Sequence, residues 1–209
     1  MKKLLLSCVA AFALAGAGVA ALGQVNYVPQ IGAITSTLNQ NTFSAVSVGL
    51  APASSATDIF CLNGSTSKTV HLDHLLITGT AGTAITTPVV LKLNHSLDTG
   101  GTPATGLALP APAPNNSTDV ATATLTAYTA NPTVNDSTPN YLMAPAISFA
   151  VTTTANQPVN YYAGQPNGWF NKGWDIRPAT TVVQQLCLNL NAVSISSGVL
   201  AISAEWTEQ

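Results

Sequence analysis

The feature that most restricts this chain is a two-residue beat that returns in short runs from residue 41 onward. In QQLCLNLN, Leu186, Leu188 and Leu190 alternate with Cys187, Asn189 and Asn191, and in VLAISAEW, Leu200, Ile202, Ala204 and Trp206 share one side. Successive side chains point to opposite faces only in extended backbone, so such runs are strands with one face turned inward. The same beat sets Phe43, Ala45 and Ser47 against Ser44, Val46 and Val48, and Val89, Leu91 and Leu93 against Val90, Lys92 and Asn94. DIFCLN places Phe60 and Leu62 on one side and Ile59 and Cys61 on the other. It turns at Asn63-Gly64 into VHLDHLLITG, which reads as the second arm of a hairpin. YLMAPAISFAVTTT reads as one further strand, with Ile147, Phe149 and Val151 on one face.

Clusters of Gly, Pro and Asn separate these runs, and about seven or eight short strands with turn signals between them fold as two packed sheets. The expected fold is therefore all-β, an antiparallel β-sandwich of jelly-roll type with at most one short helix. That helix would fall in residues 117–130. Asn116 or Ser117 would cap it, Asp119 would sit in its first turn, and Ala121, Leu125 and Tyr128 follow at i, i+4 and i+7. Thr-rich alternation argues for a strand in the same place, and the reading leans to the helix. Residues 98–119, dense in Gly, Pro and Asn, read as a long exposed loop.

VHLDHLLI (70–77) breaks the beat in one place. Val70 and Leu72 set one phase, Leu75 and Ile77 the other, so one residue slips near Asp73-His74 and predicts a β-bulge there. With the bulge, His71, Asp73 and His74 all lean outward. A metal site would need a further strong ligand, for which His95 and Asp98 are the nearest in sequence. The simpler reading is a solvated outer face.

The chain opens MKKLLLSCVAAFALAGAGVAALGQ: two lysines, an apolar run and then small residues. That order reads as a secretory signal peptide over residues 1–23, cleaved after Gly23 with a second site offered at Gly18-Val19-Ala20, and Cys8 is removed along with it. Residues 24–40 have no clear period and read as an extended arm, followed by a single domain over 41–209. Without Lys2 and Lys3, six basic residues become four (Lys68, Lys92, Lys172, Arg177) against eight acidic ones, a net charge of minus four. No basic patch exists, so neither nucleic acid nor an anionic membrane is an expected partner. Charged residues make up 7% of the chain, against about 25% in an average domain. The surface is therefore solvated mainly by hydroxyls and amides.

Two cysteines remain after cleavage, Cys61 and Cys187, and an even pair in an exported chain favours a disulfide. Both lie opposite the leucines and Phe60, so the bond would join outward positions of neighbouring strands and set 58–64 beside 182–191. A metal pair is disfavoured, because no third Cys or His accompanies them.

Motifs of chemistry are absent from the sequence. It has no G-x-S-x-G, His-Glu-x-x-His, Cys-x-x-Cys or phosphate-binding Gly loop. No catalytic residue, resident metal or cofactor is expected. Trp169, Phe170 and Trp174, set among Gly and Asn, form a candidate ligand-binding platform for a glycan, because aromatic rings stack on the apolar faces of sugars. Their plainer role is to plug one end of the sandwich. Asn-x-Ser/Thr triplets begin at Asn63, Asn94, Asn115, Asn116 and Asn135, but the bacterial look of the signal argues against glycosylation.

ATDIFCLNGSTSKTVHLDHLLITGTAGTA (56–84), STDVATATLTAYTANPT (117–133) and LAISAEWTE (200–208) together resemble a family of phage and prophage structural proteins. The resemblance covers most of 40–208 and implies an assembly role with no catalytic residues. The chain departs from that pattern in its signal peptide, in Cys61 and Cys187, and in its Pro- and Asn-rich middle. The expectation is an exported, secreted or periplasmic bacterial protein that binds or assembles, alone as a homo-oligomer or with a protein partner. A carbohydrate-binding or adhesin module is the alternative. A metal-dependent hydrolase built on His71, Asp73 and His95 comes third.

Overall fold

The structure is a computed structural model that describes residues 41–105, 112–116, 118–144, 146–151, 159–162, 174–195 and 197–209. The expected signal peptide, the 24–40 arm, Trp169 and Phe170 lie outside the described residues. Fourteen strands follow one another in what is described. The first seven are β1 (Asn41–Leu50), β2 (Asp58–Asn63), β3 (Val70–Ala81), β4 (Ile85–Pro88), β5 (Val90–Asn94), β6 (Thr102–Pro103) and β7 (Ala113–Pro114). The rest are β8 (Thr124–Ala130), β9 (Asn140–Met143), β10 (Ala146–Val151), β11 (Val159–Tyr162), β12 (Trp174–Ile176), β13 (Gln185–Asn189) and β14 (Val199–Glu208).

They form two sheets. One has eight strands in the order β4-β10-β3-β14-β1-β7, with β11 and β12 also pairing β3; the other has six, in the order β6-β8-β2-β13-β5-β9. All pairings are antiparallel except that of β10 with β3. β3 is bordered on one side by β14 along nearly its whole length. Its other side is covered in three pieces: β12 at 70–72, β11 at 74–77 and β10 at 80–81. Early and late strands lie side by side, as expected: β1 against β14 and β2 against β13. This order shows the sandwich, and the jelly-roll winding does not follow from it.

The core lies where the two-residue beat puts it. Leu186 and Leu188 of β13 face Leu72 and Leu75 of β3 and Ala204 of β14 across a void of about 10 Å³, which Phe60, Leu62 and Leu91 help to line. Trp206 is fully buried and stacks on Phe43 of the neighbouring strand, ring centroids 5.8 Å apart. Contacts of this kind, multiplied over the buried leucines, are the main favourable term in such a fold.

Four expectations need correction. Of the expected helix over 117–130, the described residues 118–130 are not helical. The Asn116 side chain accepts from the Thr118 N–H, as a cap would, but the chain then enters β8, where Leu125 and Ala127 turn inward and pair with β2. Tertiary pairing decides between two locally plausible patterns. Strands 58–63 and 70–81 are not a hairpin, because they belong to different sheets. Between them the Ser65 hydroxyl accepts from the N–H groups of Ser67 and Lys68, and Gly64 passes so close to Ile176 that a Cβ there would lie 2.5 Å from Cγ2. That tight turn carries the chain from one layer to the other. The run 141–151 is likewise two strands, β9 in the six-stranded sheet and β10 in the other. Finally, the described parts of 98–119 are mostly exposed but tied down by β6 against β8 and β7 against β1.

Candidate functional site

The bulge expected in VHLDHLLI is present. His74 pairs with Glu205 and Leu72 with the next residue, Trp206, so Asp73 is the extra residue in β3. A second bulge occurs in β2, where Leu188 pairs with Phe60 and Asn189 with Asp58, leaving Ile59 over. Each slip moves a charged side chain to the outer face of its sheet. The two outer faces then differ completely.

On the six-stranded sheet, the outer face carries Asp58, Cys61, Lys92, Asn94, Gln185, Cys187 and Asn189. Cys61 sits directly opposite Cys187, which in turn sits opposite Lys92, and Asn94 pairs with Gln185. The expected disulfide is formed, joining residues 126 apart in sequence. Its outward position is not exposed, however: both cysteines are fully buried and packed with Tyr128. The cover is the segment 95–101, stitched to 131–138 by reciprocal backbone bonds between Thr99 and Thr133 (3.1 and 2.7 Å). Asn135 Nδ2 donates to Leu97 O at 2.8 Å, and the His95 N–H to Asp136 Oδ2 at 2.7 Å.

Beneath this cover the charges are paired. Lys92, 4% exposed, places Nζ 2.9 Å from Oδ2 of Asp58, itself 1% exposed. Asn94 Nδ2 donates to the same oxygen at 3.1 Å, and Asn189 Nδ2 donates to Asp58 Oδ1. Charges this deep persist only when paired and hydrogen-bonded. Asp98 reaches down from the cover, its Oδ1 accepting from Asn94 Nδ2 at 3.4 Å and its Oδ2 lying 3.9 Å from Cys61 Sγ. Burial, reinforced by the adjacent Asp58 and opposed by Lys92, pushes the Asp98 carboxyl up to about 7. Burial and the Asp98 charge also raise the Tyr128 hydroxyl.

On the outer face of the eight-stranded sheet the ionisable groups are half-buried or exposed. His71 is held between two carboxylates: Nδ1 bonds Asp175 of β12, and Nε2 lies 3.5 Å from Asp73 Oδ1. His74 Nδ1 is 3.9 Å from Glu205 Oε2. Partial burial raises the Asp73 carboxyl while the His71 charge lowers it, the first prevailing. His95 belongs to the other sheet, where it bonds Asp136 Oδ2 at 2.8 Å and Asn140 Nδ2 at 3.3 Å. His71 and His95 therefore share no metal-binding cluster among the described residues. Trp174 opens β12 opposite Leu72, half-buried and packed against the main core.

Sequence reasoning missed two carboxylates that the fold uses, Asp58 and Glu208, and named Asp98 only as a ligand for a site on the other sheet. Glu208 is 3% exposed and accepts from the N–H groups of Thr122 and Ala123, the Thr122 hydroxyl, Trp206 Nε1 and Lys68 Nζ. Burial alone would raise its carboxyl, but these donors together hold it below its ordinary value. The signal was present: the inward phase Leu200, Ile202, Ala204, Trp206 continues to Glu208. A charge in that phase needs a dedicated set of partners.

No helix among the described residues is long and apolar enough to cross a membrane. Set against protein-family models, curated proteins and solved structures, the chain matches none.

Proposed function

We propose that this chain is an exported, disulfide-linked β-sandwich that acts by binding and assembly rather than by catalysis, in keeping with its resemblance to phage structural proteins. One observation carries the reading. Past the bulge, the outer face of the eight-stranded sheet loses its charges and presents Val46 (53% exposed), Val48 (40%) and Val199 (44%) around Ala201, Ser203, Thr78 and Thr80. An uncharged, β-branched and hydroxyl-bearing face on a rigid sheet suits contact with another protein surface. The occupant that needs no further component is a second copy of the chain. The disulfide and the N-terminal lysine-apolar-small sequence support export.

Sedimentation velocity of residues 24–209 over a range of concentrations tests this. Self-association is expected, and it should be lost in Val46→Lys while the monomer stays folded by circular dichroism. A wild-type chain that remains monomeric at every concentration overturns the reading.

A further inference from the structure

We propose that Asp58, Cys61, Asp98 and Cys187 form a binding site for a divalent, thiophilic metal ion, Zn2+ by chemistry, once the Cys61–Cys187 bond is reduced. One donor atom from each of the four lies within 4.8 Å of every other. A tetrahedral zinc ion with Zn–S of about 2.3 Å and Zn–O of about 2.0–2.2 Å sets its donors roughly 3.3–3.8 Å apart. The four side chains therefore need only small rotations to close on an ion. In the cystine the sulfurs are poor ligands, because the thiolate is the form that binds metal. Two thiolates with two carboxylates in tetrahedral reach select zinc-like ions over Mg2+ or Ca2+, which demand an all-oxygen shell.

The surroundings are those of a supported site. Four anionic donors around a doubly charged cation leave two negative charges, and Lys92, 2.9 Å from Asp58, removes one of them. A single buried amide nitrogen, Asn94 Nδ2, lies 3.1 Å from Asp58 Oδ2, 3.4 Å from Asp98 Oδ1 and 3.6 Å from Cys187 Sγ, touching three of the four ligands at once. Asn189 fixes the other oxygen of Asp58. Outer partners of this kind orient metal ligands and tune their affinity. The remaining atom of the same fully buried amide, Asn94 Oδ1, has no hydrogen-bond partner among the described residues, so polar capacity is left over at the cluster in the oxidised state.

The chemistry balances. A dithiol supplies two electrons and two protons, the S–S bond breaks into two thiols, and the dithiol closes to its cyclic disulfide. Metal binding then displaces the two thiol protons to solvent. The disulfide ties β2 to β13 alone, whereas the ion also ties both strands to the cover through Asp98.

The test uses the chain 24–209, unfolded and refolded with a non-chelating phosphine reductant, and titrated with Co2+ as the probe. The expected result is sulfur-to-cobalt charge-transfer absorption with tetrahedral d–d bands, saturating at one equivalent, reversed by Zn2+ and absent from the oxidised protein. The double variant Cys61→Ser/Cys187→Ser should lose the spectrum, and Asn94→Ala should weaken binding by about 10–100-fold. A reduced chain that folds without binding cobalt overturns the proposal. So does an oxidised chain that binds it equally, or a reduced chain that stays unfolded with Zn2+ present, since a site of this kind couples metal binding to folding.

Discussion

The outer faces of the two sheets begin alike in sequence and end in opposite environments. Each comes from polar residues alternating with apolar ones, and each holds a bulge that turns an aspartate outward. In the eight-stranded sheet that face meets water, so Asp175 and Glu205 are exposed and His71, Asp73 and His74 only half-buried. In the six-stranded sheet a loop lies over it, so Asp58, Lys92 and the cystine belong to the interior. Alternation tells which side of a strand is polar, and a loop drawn from elsewhere decides whether polar means exposed. The same residue types are then worth very different amounts of stability.

Four changes break or sharpen that contrast. The largest effect is expected from Asp58→Ala, which leaves Lys92 buried without its partner carboxylate; urea unfolding should show a loss of about 3–5 kcal/mol. Replacing both cysteines by serine should cost about 2–5 kcal/mol on the same assay with no metal added, given the long loop that the bond closes.

A smaller effect comes from pH. Asp98 holds its proton up to about 7 in the folded oxidised protein and releases it near 3.8 when unfolded. Between those values the folded state binds more protons, so stability falls as pH rises and is regained on acidification. Below that window the trend reverses as Glu208, held low in the fold, takes up its proton. Midpoints of thermal unfolding should therefore peak on the acid side of neutrality, and Asp98→Asn should flatten the limb from about 4 to 7. The smallest effect belongs to the exposed face: His71→Ala should change stability by less than about 1 kcal/mol despite its two carboxylate neighbours. A loss as large as that of Asp58→Ala would erase the distinction between the faces.

Most of the fold was legible because its carriers are local. The slip at Asp73 could be read, since Val70, Leu72, Leu75 and Ile77 mark two phases on either side of it. The slip at Ile59 could not, because in DIFCL every residue after the aspartate is apolar and both phases look buried. For the same reason Asp58 was not seen as a partner of Lys92. The disulfide was legible from count and parity, while its burial was not, since the cover comes from residues 95–101 held by 131–138. The hairpin failed because a turn signal fixes where a chain bends and not which sheet it enters next.

The place of β14 has a consequence for how such a chain is made. It is the last of the described strands to emerge during synthesis, yet it lies between β1 and β3, near the middle of the larger sheet. Until it arrives, two long strands wait with open edges that neighbouring chains can pair with. A chain that lacks residues 199–208 lacks that central strand, and with it Trp206 and Glu208. Without β14 the facing edges of β1 and β3 stay unpaired, and open edges of that kind invite pairing with other chains.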